Sequence, residues 1–209
     1  MELKLAPVTV TLTADSKNSS LNKSKLVAEP TTIVADDKQS STLKLTLMDA
    51  NDNPIAGQVV KFEPSLANSQ FDEVKEINKG VYTAKLKGKT AGVSNIKVNV
   101  NDKEFAIKTD VTLIADSNTA VLKQVTLDGD NTSKVANGSD NLTFIAVVKD
   151  ANDNPVPEIT LKWLQNQGNK VTLSDKGESI IDVEGKAKIT LTSTTNTVTE
   201  VQVFAKKKR

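Results

Sequence analysis

The chain repeats itself at long range. The hexapeptide Asp-Ala-Asn-Asp-Asn-Pro stands at Asp49–Pro54 and again at Asp150–Pro155, 101 positions later. The same spacing carries Val34-Ala35 onto Val135-Ala136, Thr42 onto Thr143 and Phe62 onto Trp163. A third match, TADS at Thr13–Ser16, lies 101 positions before IADS at Ile114–Ser117. A fixed long period marks a tandem array, so the 209 residues divide into copies of one unit rather than building a single large core. The expected division is a piece at 1–16 that is the last strand of a preceding repeat, a repeat at 17–117, and a repeat at 118–209 that lacks its final strand.

Each copy reads as strands. Leu43, Leu45 and Leu47 alternate with Lys44, Thr46 and Met48; Ile96, Val98 and Val100 alternate with Lys97 and Asn99. In the second copy Phe144, Ala146 and Val148 alternate with Ile145, Val147 and Lys149, while Leu161 and Trp163 flank Lys162, and Ile189 and Leu191 flank Thr190. Period-two runs bounded by Gly, Asn, Asp and Pro are half-buried antiparallel strands. About seven per copy predicts an all-β chain: two tandem Ig-like β-sandwich domains, rod-like, with an orphan N-terminal strand. The copies stay in register through Phe62 and Trp163 and resume at an offset of 105, where Ile96, Val98 and Val100 meet Val201, Val203 and Ala205. A four-residue insertion is therefore expected between Trp163 and Gly185, around Gln165–Lys170, in a surface loop.

Composition narrows the chemistry. There is no histidine and no cysteine, which removes the commonest general base, thiol catalysis, zinc clusters and disulfides. No catalytic constellation, cofactor motif or membrane-spanning run is present, and no direct membrane contact by this segment is expected. The 27 basic and 26 acidic residues are interspersed, and the only arginine is Arg209, so nothing resembles a nucleic-acid footprint.

The copies are out of phase with the ends. The second is expected to stop at Lys206–Arg209, in the turn that precedes a last strand, and that strand type appears instead at Val8, Val10 and Leu12. Burying three such side chains is worth about 1.5–3 kcal/mol each. Val8, Val10 and Leu12 are therefore candidates for strand donation to a neighbouring molecule, head to tail. The alternative is that Val8–Thr13 pairs with its own first domain.

The repeated hexapeptide offers hard oxygens, and Asp49, Asp52, Asp150 and Asp153 are its calcium candidates. It lacks the further acidic ligands that a calcium site between repeats needs. A β-turn explains it with less, since Asp and Asn bond their own backbone and tolerate left-handed conformations. No metal and no cofactor are therefore expected.

The stretch VADDKQSSTLKLTLMDANDNPIAGQVVKF at 34–62, with NKGVYTAKLKGKTAGVSNIKVNV at 78–100 and VTLIADS at 111–117, resembles the bacterial Ig-like (Big) domains of intimin and invasin, outer-membrane adhesins of Gram-negative bacteria. The second copy departs from that pattern at Pro157-Glu158, where Pro-Gly is usual, and Asp52 and Asp153 stand where the family has glycine. The resemblance implies a cell-surface location, neighbouring Ig-like repeats as partners, and a host-surface receptor engaged through other domains. It implies a non-catalytic stalk segment that projects an adhesive tip. The other reading makes one of the Ig-like domains itself a ligand-binding module, through the Gln165–Lys170 loop or an exposed Phe71 region.

Overall fold

The computed structural model describes residues 8–130, 132–196 and 203–207, and the last five by their backbone alone. The chain forms two compact units. One takes in residues up to Ile33, Ser40–Lys87 and Val93–Thr112; the other takes in Val34–Gln39, Gly88–Gly92 and everything from Leu113 onward.

In the first unit the strands are β1 (Lys25–Glu29), β2 (Thr32–Val34), β3 (Ser41–Thr46), β4 (Val60–Pro64), β5 (Ser69–Phe71), β6 (Lys75–Asn78), β7 (Val81–Gly88), β8 (Gly92–Val100) and β9 (Lys103–Ile114). One sheet runs β1-β3-β7-β5, with β6 also on β7; the other runs β2-β9-β8-β4. Leu43, Leu45, Leu47, Ile96 and Val98 are all fully buried, so the alternation of the sequence is the alternation of the core. Asn101 and Asp102 both take left-handed conformations (φ 51° and 61°), the geometry of a two-residue hairpin, and this makes β9 antiparallel to β8.

In the second unit the strands are β10 (Val121–Leu127), β11 (Asn141–Lys149), β12 (Thr160–Gln165), β13 (Val171–Leu173), β14 (Glu178–Ile180), β15 (Lys186–Ser193) and β16 (Val203–Lys207). One sheet runs β10-β11-β15-β13 and the other β14-β12-β16. Trp163, on β12, is buried among Ala146, Val148, Leu161, Ile181 and Ile189, and its indole N–H donates to Ser179 Oγ at 2.7 Å. The chain is all-β, with Ig-like domains, as the sequence predicts. Gly185 meets Pro155 as Gly80 meets Pro54, an offset of 105, and the segment between β12 and β15 holds a short 3₁₀ turn at Gly168–Lys170, β13, a left-handed turn at Asp175 and Lys176 (φ 50° and 57°), and β14.

Three expectations change. First, Val8, Val10 and Leu12 form no strand here; they stand 86%, 75% and 89% exposed, and Val8–Thr13 does not pair with the first unit. An alternating run becomes a strand only when an edge satisfies its backbone, and among the described residues no strand pairs with it. Second, Lys206 and Lys207 lie in strand β16 rather than in a turn; Lys208 and Arg209 fall outside the described residues. Third, Ala205 pairs with Trp163 as Val98 pairs with Phe62, so the last shared strand is offset by 107 rather than 105. Val201 lies outside the described residues.

The departures from the glycine pattern keep the turn. Asp52, Asp153 and Glu158 have φ of 62°, 67° and 64°, and Gly57, the counterpart of Glu158, has 71°. For a residue with a Cβ this region costs about 1–2 kcal/mol. Glu158→Gly therefore raises the melting temperature of the second unit, by about 4–8 °C per kcal/mol recovered. Gly185→Ala acts oppositely. Its new Cβ would fall 2.7 Å from Val148 O and 2.9 Å from Pro155 Cβ, so a loss of about 2–4 kcal/mol is expected. Thermal unfolding of the two variants checks both signs.

Candidate functional site

The repeated hexapeptide builds the same structure twice, around a buried aspartate. Asp49 is 2% exposed and Asp150 is fully buried. Asp49 Oδ1 accepts the backbone N–H of Asn51 (2.8 Å) and of Asn53 (2.9 Å). Its Oδ2 accepts the Asp15 N–H and the Asn53 Nδ2, both at 3.1 Å. Asp150 repeats the set: Asn152 N–H at 2.8 Å and Asn154 N–H at 2.9 Å on Oδ1, Asp116 N–H at 3.0 Å and Asn154 Nδ2 at 2.9 Å on Oδ2. A carboxylate has about four lone-pair sites, and each of these fills four.

The closing proline explains the rest of the motif. Pro54 and Pro155 make isolated bridges to Met48 and Lys149, and the next residues, Ile55 and Val156, donate back to Leu47 O and Val148 O. Each proline sits over a left-handed glycine, Gly80 or Gly185, where a Cβ would collide with it.

This assigns a job to the TADS and IADS motifs. Asp15 and Asp116 are their aspartates, and each gives its backbone N–H to the aspartate that opens the following hexapeptide. The two motifs share the 101-residue period because they are two ends of one hydrogen bond. Asp116 also starts a turn of its own, accepting the Asn118 N–H on Oδ1 at 3.0 Å.

The second copy does more. Asn152 Nδ2 donates to Ala35 O at 2.8 Å. Asn154 Nδ2 donates to Lys89 O, and Asn154 Oδ1 accepts the Ala91 N–H, each at 2.8 Å. These partners lie in Val34–Gln39 and Gly88–Gly92, the two early segments that are built into the second unit. The sequence reading treated both asparagines as turn formers and missed this role. Residue type and spacing carry no signal for it, since Asn51 and Asn53 share both.

The calcium candidates are not brought together. Asp49 and Asp150 face N–H donors, which a cation would have to displace. Asp52 pairs with Lys23 at 2.9 Å and Asp153 with Lys149 at 2.6 Å, both at the surface. Among the described residues no group of three or more His, Cys, Asp or Glu is placed to hold a metal ion. Phe71 is not an exposed patch: it is half-buried, with its ring 5.5 Å from that of Phe62. No helix among the described residues is long and apolar enough to cross a membrane.

Comparison with known proteins matches this geometry to a family. Residues 20–116 match domain 3 of invasin, and residues 124–209 match the bacterial Ig-like domain, group 1. The chain belongs to the bacterial Ig-like repeats of the invasin and intimin family. A similar protein is the inverse autotransporter adhesin YeeJ of Escherichia coli K12, 33% identical over 168 residues, or 77% of this chain and 7% of that one. The chain thus spans a small part of that relative. Invasin, described as a bacterial integrin-binding protein, is 26% identical with a TM-score of 0.66, over 90% of this chain and 37% of its own. InvD of Yersinia pseudotuberculosis shares the fold, with a TM-score of 0.69 at 24% identity over 89% of this chain and 53% of that one. The relatives of these repeats are surface adhesins.

Hydrogen bonding to the charged form shifts the aspartates. The Asn53 N–H first, then its side chain and the Asp15 and Asn51 N–H groups, hold Asp49 at about 2 against an ordinary 3.8, although burial opposes them. For Asp150 burial pushes upward, and the donors from Asn154, Asp116 and Asn152 outweigh it, so its carboxyl is also lowered. A depressed carboxyl stabilises the fold above its unfolded value and loses that contribution as pH falls through the folded value. Stability of the first unit therefore declines below about 3.8 and continues to fall toward about 2. Asp49→Asn is less stable at neutral pH and flatter across that window, read by denaturant unfolding at stepped pH. Millimolar calcium leaves both melting transitions of the wild-type chain in place.

Proposed function

We propose that this chain is a non-catalytic spacer segment of a cell-surface adhesin, carrying an adhesive tip outward from the outer membrane. One observation carries the reading. The most distinctive residues in the sequence, the aspartates that open the two turns, spend their hydrogen-bonding capacity inside the chain. Asp49 and Asp150 have no acceptor oxygen left over for a ligand. Residues kept for recognition would face solvent unsatisfied; these hold successive elements together. Repeats of this kind add length through nearest-neighbour contacts, which suits reach rather than reactivity. The kinship with surface adhesins supports the same role, with neighbouring Ig-like repeats as immediate partners and the host receptor met by other domains.

A second reading has a specific observation behind it. A cavity opens in the second unit between Leu127, Val135, Leu142, Phe144, Val171 and Leu191, more apolar than polar. Such a cavity suits an apolar ligand group, and this would make the second domain an adhesion module. Beads coated with the chain distinguish the two. As a spacer it gives no more attachment to cultured host cells than uncoated beads. Attachment that Phe144→Ala or Leu142→Lys abolishes would replace the spacer reading with the module.

A further inference from the structure

The second unit ends in a preformed copy of the surface that holds Asn152 and Asn154. That surface consists of two loops. In Val34–Gln39, Asp36 Oδ1 accepts the N–H groups of Lys38 and Gln39, both at 2.8 Å, and Asp37 donates to Gly88 O at 3.0 Å. In the second copy Asn137 Oδ1 accepts the N–H groups of Ser139 (2.8 Å) and Asp140 (2.7 Å), and Gly138 donates to Ser193 O at 2.9 Å. Asp37 and Gly138 share the left-handed conformation, φ 62° and 80°. The adjoining loop is held as well, since Thr195 donates its N–H to Ser193 Oγ at 3.0 Å. By this correspondence Ala136 stands for Ala35, Thr194 for Lys89 and Asn196 for Ala91.

The opposite end of the chain carries the matching half. Asn51 and Asn53 sit in a turn built like that of Asn152 and Asn154, yet both are exposed, whereas Asn154 is buried. The segment before it, Val8–Thr13, repeats the end of β9. There Val111 and Leu113 are 0% and 1% exposed, and their counterparts Val10 and Leu12 stand in solvent. An edge also awaits it: β8 lies between β9 and β4, whereas β16 has β12 as its only partner among the described residues. At the end of β9 Ile114 O accepts the Ala35 N–H at 2.8 Å; Thr13 is the sequence counterpart of Ile114, as Ala136 is of Ala35.

We propose that a second copy of this chain docks here, head to tail. Its Val8–Thr13 segment adds to the β16 edge, antiparallel, as β9 adds to β8. Its Asn51 side chain reaches Ala136 O, and its Asn53 carboxamide bridges Thr194 O and the Asn196 N–H. The contact is heterologous, with one end of each copy as donor and the other as acceptor. It is independent of the spacer reading, since a spacer need not associate with itself.

Sedimentation velocity of the whole chain, from micromolar to millimolar concentration, tests it together with hydrogen exchange. Average mass rises with concentration, and the amides of Val8–Thr13 and Val203–Lys207 gain protection as it does. The double variant Val10→Lys, Leu12→Lys and the single variant Asn51→Ala alter exposed side chains and leave both units folded. Each weakens association by about tenfold or more, the effect of losing roughly 1.4 kcal/mol. The chain has no cysteine, so Asn51→Cys mixed with Ala136→Cys joins two copies by a disulfide, and Lys61→Cys mixed with Ala136→Cys does not. A monomer at every concentration with Val10 and Leu12 amides freely exchanging would overturn the proposal. So would association that is unchanged in both variants.

Discussion

A buried carboxylate with four N–H donors organises each repeat. Burying an ionised aspartate is costly unless every lone pair is met, and Asp49 and Asp150 meet theirs with backbone and asparagine donors alone. Because one donor arrives from Asp15 or Asp116, the aspartate links segments 34 residues apart in sequence. Because the other three come from within the turn, the same contact sets the turn. The proline that follows can then lie on the glycine that precedes β7 in one unit and β15 in the other. Remove the carboxylate and four N–H groups, buried or partly buried, lose their acceptor at once, which costs more than the bonds themselves contribute.

Much of the fold was legible because strands write their burial directly into alternation. Leu43, Leu45, Leu47, Ile96, Val98, Leu161, Trp163, Ile189 and Leu191 were marked as inward-facing from period alone, and all are buried. Val8, Val10 and Leu12 show the same period and are exposed, because alternation encodes a competent strand but not the presence of an edge. The register of β16 was read two residues short, since short runs of small apolar residues fit either alignment equally well. What stayed hidden in the site was the asparagines. Asn152 and Asn154 differ in no way from Asn51 and Asn53 in type or local spacing, and only the fold shows that one pair has partners in Val34–Gln39 and Gly88–Gly92.

The repeat therefore serves as both a structural and a functional statement. A motif that looks like a ligand site in sequence has its opening aspartate saturated in three dimensions. Its polar groups answer to other parts of the same array, which fits the kinship with the Ig-like repeats of invasin and intimin. The second copy replaces glycine by Glu158 and keeps the turn at some cost in backbone strain, so the geometry is held by its hydrogen bonds and not by glycine alone.

Residue-resolved hydrogen exchange of the Asp15, Asn51, Asp116 and Asn152 amides tests this most directly. Each lies in a loop, and an unbonded loop amide exchanges within seconds. If the carboxylates hold these N–H groups as described, all four exchange slowly, approaching the core strands of their own unit, and added calcium does not change their rates. Free exchange at Asp116 and Asn152 in the folded chain, or rates that shift with calcium, would contradict the account.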